Sequence, residues 1–241
     1  MNKSTLIILP GWGGSHETWE DFVELAKPHF QDVIVIDLPC FGNEPCPTEV
    51  WGVEEYANFV KKRITSSPHH RIVLLGHSFG GAVAIHLVAY NPELVETLIL
   101  SGAAVYRPKK YLKRALFVML AKIGKRFVLL LPSSRLHDRA KRVLYKVAGS
   151  PDFDNTRGTE RAIFKKNVRQ DQRHLLSTIS IPTCVIHGTA DRYVPFRFGK
   201  RTADHIPFAS FVAVDHGGHG LHQQRTQELL GAILTYIQKT T

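Results

Sequence analysis

A serine flanked by glycines is the first feature of this sequence that could carry chemistry. The segment GHSFG, residues 76–80, follows the apolar run RIVLL and precedes the apolar segment GAVAIHLVAY. The pattern G-x-S-x-G at a turn from strand to helix projects a serine hydroxyl above a sheet, and its glycines let strand and helix approach closely. An ordinary Gly-Ser turn is the alternative, but the strand-turn-helix context favours Ser78 as a nucleophile.

A nucleophilic serine needs a base to take its proton and an acid to orient that base. Downstream of Ser78, Asp191 lies in CVIHGTADRYVP and His219 lies in VDHGGHGLHQQ, each just beyond an apolar run that reads as a strand. In a parallel sheet both loops leave the same edge as the serine turn. We therefore predict Ser78 as nucleophile, His219 as general base and Asp191 as the orienting acid.

Neighbouring residues offer rival assignments for the base and the acid. Asp215 is a second candidate acid, and His216 and His222 are candidate bases. The glycines around His219 favour it, because they let the chain fold back towards the serine. The spacing of the three histidines could also suggest a metal site, but Gly217-Gly218 breaks the helix and no carboxylate or cysteine cluster completes the set. No dinucleotide fingerprint or Walker loop is present, so we expect neither metal nor cofactor.

Acyl transfer also requires hydrogen-bond donors for the negatively charged oxygen of the tetrahedral intermediate. The residue after the nucleophile, Phe79, should supply one backbone N–H. The loop LPGWGGS, residues 9–15, should supply the other, and its predicted donor is the N–H of Trp12. The same loop would read as a tight glycine turn in any protein, and the two interpretations are compatible.

Short apolar runs alternate with segments that carry apolar residues at helical spacing. This order predicts an α/β fold, with a sheet of about six mostly parallel strands and helices on both faces. The predicted strands are Thr5–Leu9, Val33–Asp37, Arg71–Leu75, Thr97–Leu100, Thr183–His187 and Ser210–Val214.

About seventy residues separate the fourth strand from the fifth, far more than a crossover needs. We interpret residues 105–175 as a helical cap inserted in a core made of residues 1–104 and 176–241. The cap holds 19 Lys and Arg against 5 Asp and Glu, so the net charge of +10 is concentrated there. It could be an apolar tunnel for an acyl chain beneath a basic rim that attracts an acidic carrier protein or a membrane surface. The favoured interpretation is a lid that packs its apolar face on the core and leaves its basic face in water.

The composition sets the remaining limits on class and location. The chain has 241 residues, of which 44% are hydrophobic and 22% charged, as expected for one globular domain. The apolar run Leu6–Leu9 is too short for a signal peptide or a membrane span, and the three cysteines are too sparse for a disulfide framework. We therefore expect a cytoplasmic protein with reduced cysteines, although Cys40 and Cys46 could pair if it were exported. No nucleic-acid recognition motif is present, so no nucleic-acid partner is expected.

These motifs together resemble the α/β-hydrolase superfamily, in particular its compact capped esterases and lipase-like members. The likeness runs from end to end in five ordered segments: LPGWGGSHETW, DLPCFGNEP, GHSFGG, HGTADRYVP and GGHG. It implies the α/β-hydrolase fold, the triad Ser78, Asp191 and His219, and an oxyanion hole made by Trp12 and Phe79. Pro10 stands where the family usually has histidine, and Cys40 replaces a common glycine.

The resemblance also implies a reaction. We expect a serine hydrolase that cleaves a carboxylic ester through an acyl-enzyme, acting on a small-molecule ester with an apolar acyl chain. The short capped form resembles esterases of acyl-carrier methyl esters. A carbon-carbon bond hydrolase of the same fold is the alternative enzyme, but those usually carry G-N-S-x-G-G. Dehalogenases and epoxide hydrolases are disfavoured, because they have aspartate at the nucleophile elbow, the strand-to-helix turn that carries Ser78 here. Outside enzymes, the alternative is a member of this fold that binds a ligand without catalysis.

Overall fold

The computed structural model describes residues 4–66, 71–106 and 158–240. The sheet and nearly all of the predicted core fall within these ranges. The predicted apolar cap helices between residues 107 and 157 lie outside them. The division into a core and a cap at residues 105 and 175 therefore stays a prediction.

The centre of the molecule is a sheet of six parallel strands in the order β2-β1-β3-β4-β5-β6. The strands are β1 Thr5–Leu9, β2 Asp32–Val35, β3 Ile72–His77, β4 Thr97–Ser101, β5 Thr183–Gly188 and β6 Ser210–Val214. Every residue of the four inner strands is buried, as their continuous apolar sequences require when helices cover both faces. The predicted six-stranded parallel sheet is confirmed.

Helices cover the sheet on both sides and divide the core into two layers. The described helices are α1 Glu20–Ala26, α2 Val53–Thr65, α3 Phe79–Tyr90, α4 Gly158–Asn167, α5 Phe196–His205, α6 Leu221–Gln224 and α7 Thr226–Thr240. One layer contains residues of α2, α3 and α5, among them Tyr56, Val83 and Phe198. The other contains Phe22 of α1 and Ile233 of α7.

The strand order reverses direction between β1 and β3. From β1 the chain moves outward to β2, then returns to β3 on the other side of β1 and continues to β6. In open parallel sheets, ligands bind outside the carboxyl ends of the strands at such a switch point. The loop after β1 and the loop after β3, which carry Trp12 and Ser78, leave the sheet there.

The end of the predicted cap is tied to the core. Ile163 of α4 is buried, and the Asn167 side-chain amide donates to the Trp51 carbonyl at 2.9 Å. The Val53 N–H at the start of α2 donates to the Gln170 side chain at 2.8 Å. These contacts hold α4 beside α2, so this part of residues 105–175 packs as an extension of the core.

The cysteines differ from the expectation of reduced thiols. Cys40 and Cys46 form a disulfide within the loop after β2, while Cys184 is free and buried in β5. The chain turns at Cys40, where φ is 78°, and brings the two Cα atoms to 4.0 Å. The turn is a tertiary feature that the spacing of the cysteines does not reveal. Within the described part of the chain, no helix is long and apolar enough to cross a membrane.

Candidate active site

Ser78 occupies a strained turn between β3 and α3. Its backbone has φ 50° and ψ −111°, a conformation that is unfavourable for a residue with a side chain. The surrounding bonds hold it there: the Ser78 N–H donates to the Ser101 carbonyl, and the Ser78 carbonyl accepts from Ala104. β4 and the residues that follow it therefore stabilise the strained conformation of Ser78. Its result is a hydroxyl that projects from the edge of the sheet.

Ser78, His219 and Asp191 form one hydrogen-bonded chain. The His219 Nε2 lies 2.9 Å from the Ser78 Oγ, and the His219 Nδ1 lies 2.7 Å from the Asp191 Oδ2. A carboxylate only accepts, so Nδ1 carries the proton and the unprotonated Nε2 accepts from the serine hydroxyl. In this arrangement the imidazole is ready to remove the Ser78 proton.

The other candidates for the acid and the base lie away from Ser78. The side chains of Asp215 and His216 are 79% and 87% exposed, and they contact each other at 3.3 Å. His222 is buried behind the site, at the start of the last helical region. The structure brings none of these three side chains into hydrogen-bond contact with Ser78 or Asp191.

The Asp191 carboxylate is buried and held by several donors. Its Oδ1 accepts from the backbone N–H groups of Tyr193 and Val194, each at 2.8 Å. Its side chain is only 1% exposed, whereas that of His219 is 18% exposed. Burial by itself raises the pKa of the Asp191 carboxyl, but hydrogen bonds from His187 and His219 outweigh it and hold the pKa well below its usual range. The acid is therefore ionised, and its partner imidazole reaches towards solvent.

The two predicted oxyanion donors lie in loops that meet beside Ser78. Phe79 is the first residue of α3, and Trp12 follows Gly11, where an added Cβ would lie 3.1 Å from the Ser78 Cβ. Within residues 4–66, 71–106 and 158–240, neither N–H group has a hydrogen-bond acceptor. Free N–H groups at a helix N-terminus favour negative charge. The geometry therefore provides donors next to the serine.

The half-buried carboxylate of Asp37 fixes the loop that carries Trp12. Asp37 accepts from the His16 backbone N–H at 2.6 Å, from the His16 Nδ1 at 2.7 Å and from the Asn43 N–H at 3.2 Å. These bonds join the loop after β1 to the loop after β2. The pKa of His16 is raised by its hydrogen bond to Asp37, so the two groups form an ion pair below that pKa.

Aromatic rings pack around Trp12, in the loop that lies beside the serine turn. The Trp12 ring contacts the rings of Phe41, Phe79 and Phe164 edge to face, with centroid distances of 4.9, 5.3 and 5.0 Å. We call these four residues the Trp12 cluster. Sequence reasoning did not group them, because they come from four separate segments. Phe79 follows Ser78 in the chain, Trp12 follows Gly11, which packs on the Ser78 Cβ, and Phe164 brings α4 into the cluster.

Two further histidines lie behind His219. The His77 ring is 4.8 Å from that of His219, and its Nδ1 lies 3.0 Å from the Ser101 carbonyl, to which it can donate. His222 stacks on Trp19 at a centroid distance of 4.1 Å and an interplanar angle of 9°. Burial, reinforced by His219, lowers the pKa of His222 to about 4. At neutral pH this histidine is therefore an uncharged aromatic packing group.

In His222→Phe, the free energy of unfolding should decrease less on acidification than it does in the wild type. Unfolded His222 takes up a proton near pH 6.5 but the folded form does so only near pH 4, so the unfolded state binds more protons between these values. The free energy of unfolding therefore decreases as the pH is lowered through this range. For this group the decrease from pH 7.5 to pH 5 is about 2 kcal/mol. Urea unfolding at both pH values should show a smaller decrease in His222→Phe.

Near-ultraviolet circular dichroism at pH 7.5 serves as the control for the His222 variant, because a phenyl ring can keep the stack on Trp19. An equal decrease of stability in the variant and the wild type would contradict the argument.

In the described part of the chain, no three side chains of His, Cys, Asp and Glu form a group that could hold a metal ion.

Comparison with known proteins places this chain in a family. The alpha/beta hydrolase family model matches residues 6–232. A pimeloyl-[acyl-carrier protein] methyl ester esterase of Neisseria meningitidis is 28% identical over 88% of this chain and 85% of its own. The AB hydrolase superfamily protein YisY of Bacillus subtilis is 26% identical over 96% of this chain and 90% of its own.

A solved structure agrees with the fold. An esterase from Exiguobacterium antarcticum superposes with a TM-score of 0.74 at 19% identity, covering 98% of this chain and 92% of the esterase. The α/β-hydrolase fold predicted from the sequence is thereby confirmed. Since the family model spans nearly the whole chain and the sheet carries a serine at the strand-to-helix turn, the protein belongs to the alpha/beta hydrolase family of enzymes.

Proposed function

We propose that this enzyme is a serine hydrolase that cleaves a carboxylic ester through an acyl-enzyme. The observation that carries the proposal is the hydrogen-bonded chain from Ser78 through His219 to Asp191. Ser78 is the nucleophile, His219 the general base and Asp191 the orienting acid. The strained elbow and the ionised, buried acid are the features that such a chain needs to activate a serine.

The reaction follows from the positions of these atoms. The His219 Nε2 takes the Ser78 proton as Oγ attacks the ester carbonyl carbon, and Asp191 stabilises the imidazolium that forms. The N–H groups of Trp12 and Phe79 donate to the oxygen that becomes negative. When the intermediate collapses, His219 gives its proton to the departing alcohol. Water, deprotonated by the same imidazole, then attacks the acyl-enzyme, and the imidazolium returns that proton to Ser78 Oγ as the acid is released.

The acyl group of the substrate is apolar in this proposal. The Trp12 cluster is built from the loop beside Ser78 and from the residue that follows Ser78, and aromatic surroundings bind hydrocarbon more favourably than charged groups. One relative is named for a methyl ester on an acyl-carrier protein. With 19 basic against 5 acidic residues, the segment 105–175 is the part of this chain suited to an acidic carrier. An acidic carrier protein is therefore the partner we propose for that segment.

Two assays test the proposal. Intact-mass analysis after exposure to a fluorophosphonate should show one adduct per chain, located on Ser78 by peptide mapping. p-Nitrophenyl esters from acetate to palmitate should be hydrolysed, and the preferred length measures the apolar acyl site. Ser78→Ala should lose both the adduct and the turnover, while Ser210→Ala, at an exposed position of β6, should keep both.

Labelling of another residue would overturn the assignment of the nucleophile. A wild type that neither reacts with the probe nor hydrolyses any ester of the series would overturn the esterase proposal. Under that result, the non-catalytic ligand-binding member becomes the better description of this chain.

A further inference from the structure

A second histidine contacts the carboxylate that orients His219. His187 is the next-to-last residue of β5 and is fully buried. Its Nε2 lies 2.8 Å from the Val194 carbonyl oxygen and 3.3 Å from the Asp191 Oδ2. The ring therefore joins the strand that precedes the acid loop to both the acid and the end of that loop.

The surroundings of the His187 ring determine its tautomer. Nε2 faces two acceptors, a carbonyl and a carboxylate, so Nε2 carries the proton. Nδ1 is buried and has no hydrogen-bond partner among the described residues. Gly199 of α5 packs directly against it: an added Cβ there would overlap Nδ1 and lie 2.9 Å from the His187 Cβ. The ring is thus held in one orientation, with its Nε2–H hydrogen-bonded to the Val194 carbonyl and close to the Asp191 Oδ2.

Packing alone does not require an imidazole at this position. A leucine side chain would occupy a similar volume between β5 and α5 and would bury no unpartnered nitrogen, which is costly in a protein interior. The polar contacts of His187 all lie on the side of the acid loop. The feature that distinguishes histidine from leucine here is therefore the Nε2–H.

The Asp191 Oδ2 receives two imidazoles. His219 Nδ1 donates to it at 2.7 Å and His187 Nε2 approaches at 3.3 Å, while Oδ1 accepts the two backbone N–H groups. The two bonds to Oδ1 hold one end of the carboxylate, and the contact with His187 restricts the rotation that remains at Oδ2. The His187 N–H, which donates to the Val194 carbonyl at 2.8 Å, also approaches this oxygen at 3.3 Å from a fully buried ring.

We propose that His187 is a positioning residue for the Asp191–His219 pair: its Nε2–H fixes the Asp191 Oδ2 where it receives the proton of His219 Nδ1. It acts through Asp191 and does not touch the substrate. This inference rests on the function proposed above, since it concerns the geometry of the same base.

Three variants separate the donor from the packing. His187→Gln can place an amide N–H where Nε2–H lies, whereas His187→Asn is too short to do so and His187→Leu has no donor. With p-nitrophenyl acetate, we expect Leu and Asn to lower kcat about 10- to 100-fold, the same loss as when a group that orients a metal ligand is removed. KM should change less than twofold, and Gln should restore kcat to within about threefold of the wild type.

A readout without turnover makes the test independent of the esterase reaction. Proton NMR at low pH should show the strongly deshielded His219 Nδ1–H in wild type and in Ser78→Ala. This resonance should shift or broaden in His187→Leu and His187→Asn and stay near its wild-type position in His187→Gln. If Leu does not fold, the comparison of Asn with Gln still decides the question.

Each outcome has one meaning. Equal kcat and an equal resonance in Asn, Gln and wild type would overturn the positioning role. A wild type without Ser78-dependent turnover whose resonance nevertheless moves in Asn but not in Gln would uphold the positioning role and overturn the esterase proposal.

Discussion

Asp191→Asn is expected to lower kcat for ester hydrolysis by about 10³- to 10⁴-fold, with little change in KM. The amide oxygen can still accept the N–H groups of Tyr193 and Val194, which directs the amide nitrogen towards His219. A donor in that place pairs with an unprotonated Nδ1 and moves the imidazole proton to Nε2. That nitrogen then faces the Ser78 hydroxyl as a donor and cannot remove its proton.

Asp215→Asn is the matched control, because Asp215 is the other acid that the sequence offers after a strand. Its side chain is 79% exposed and contacts Thr189 and His216. We expect kcat within twofold of the wild type. Steady-state kinetics on one p-nitrophenyl ester, with circular dichroism for folding, measures both variants. Full activity in Asp191→Asn, or an equal loss in Asp215→Asn, would show that Asp191 is not the orienting acid.

Gly80→Ala should destabilise the protein by about 4 kcal/mol or more, the range of severe overpacking, and lower Tm by roughly 10 °C. An added Cβ would overlap the carbonyl oxygens of Leu9 and Pro10 and lie 2.6 Å from the Leu9 carbonyl carbon. These atoms are backbone at the end of β1, so no side chain can rotate to make room. Relief requires α3 to move away from the loop after β1, which also displaces Ser78 from its strained turn.

Gly231→Ala, the same substitution in another helix, should raise the stability. Gly231 lies within α7, and an added Cβ there meets no atom within 4 Å. Alanine in a helix interior is favoured over glycine by about 0.5–1 kcal/mol, so Tm should rise by a few degrees. Thermal unfolding followed by circular dichroism compares the two. Similar changes in Tm for both variants would show that the close approach at Gly80 does not limit stability.

The cysteines and the cap show where local patterns carry little information. Cys40 and Cys46 are six residues apart, a spacing that is compatible with reduced or paired thiols. In the structure Cys40 pairs with Cys46 and has a left-handed backbone, a conformation that suits the glycine that is common at this position in the family. The apolar periodicity in the cap segment predicts helices without indicating which surface they cover, and most of that segment lies outside the described residues.

Sequence alone determined the sheet and the residues that the structure joins as Ser78, His219 and Asp191. The reason is that apolar runs and the strand-turn-helix motif are local, and a parallel sheet sends all its carboxyl ends to one edge. Only the tertiary structure decided which side chains surround these three. His187 within a buried strand and Phe164 beside Trp12 carry no local signal, because their roles depend on contacts between distant segments.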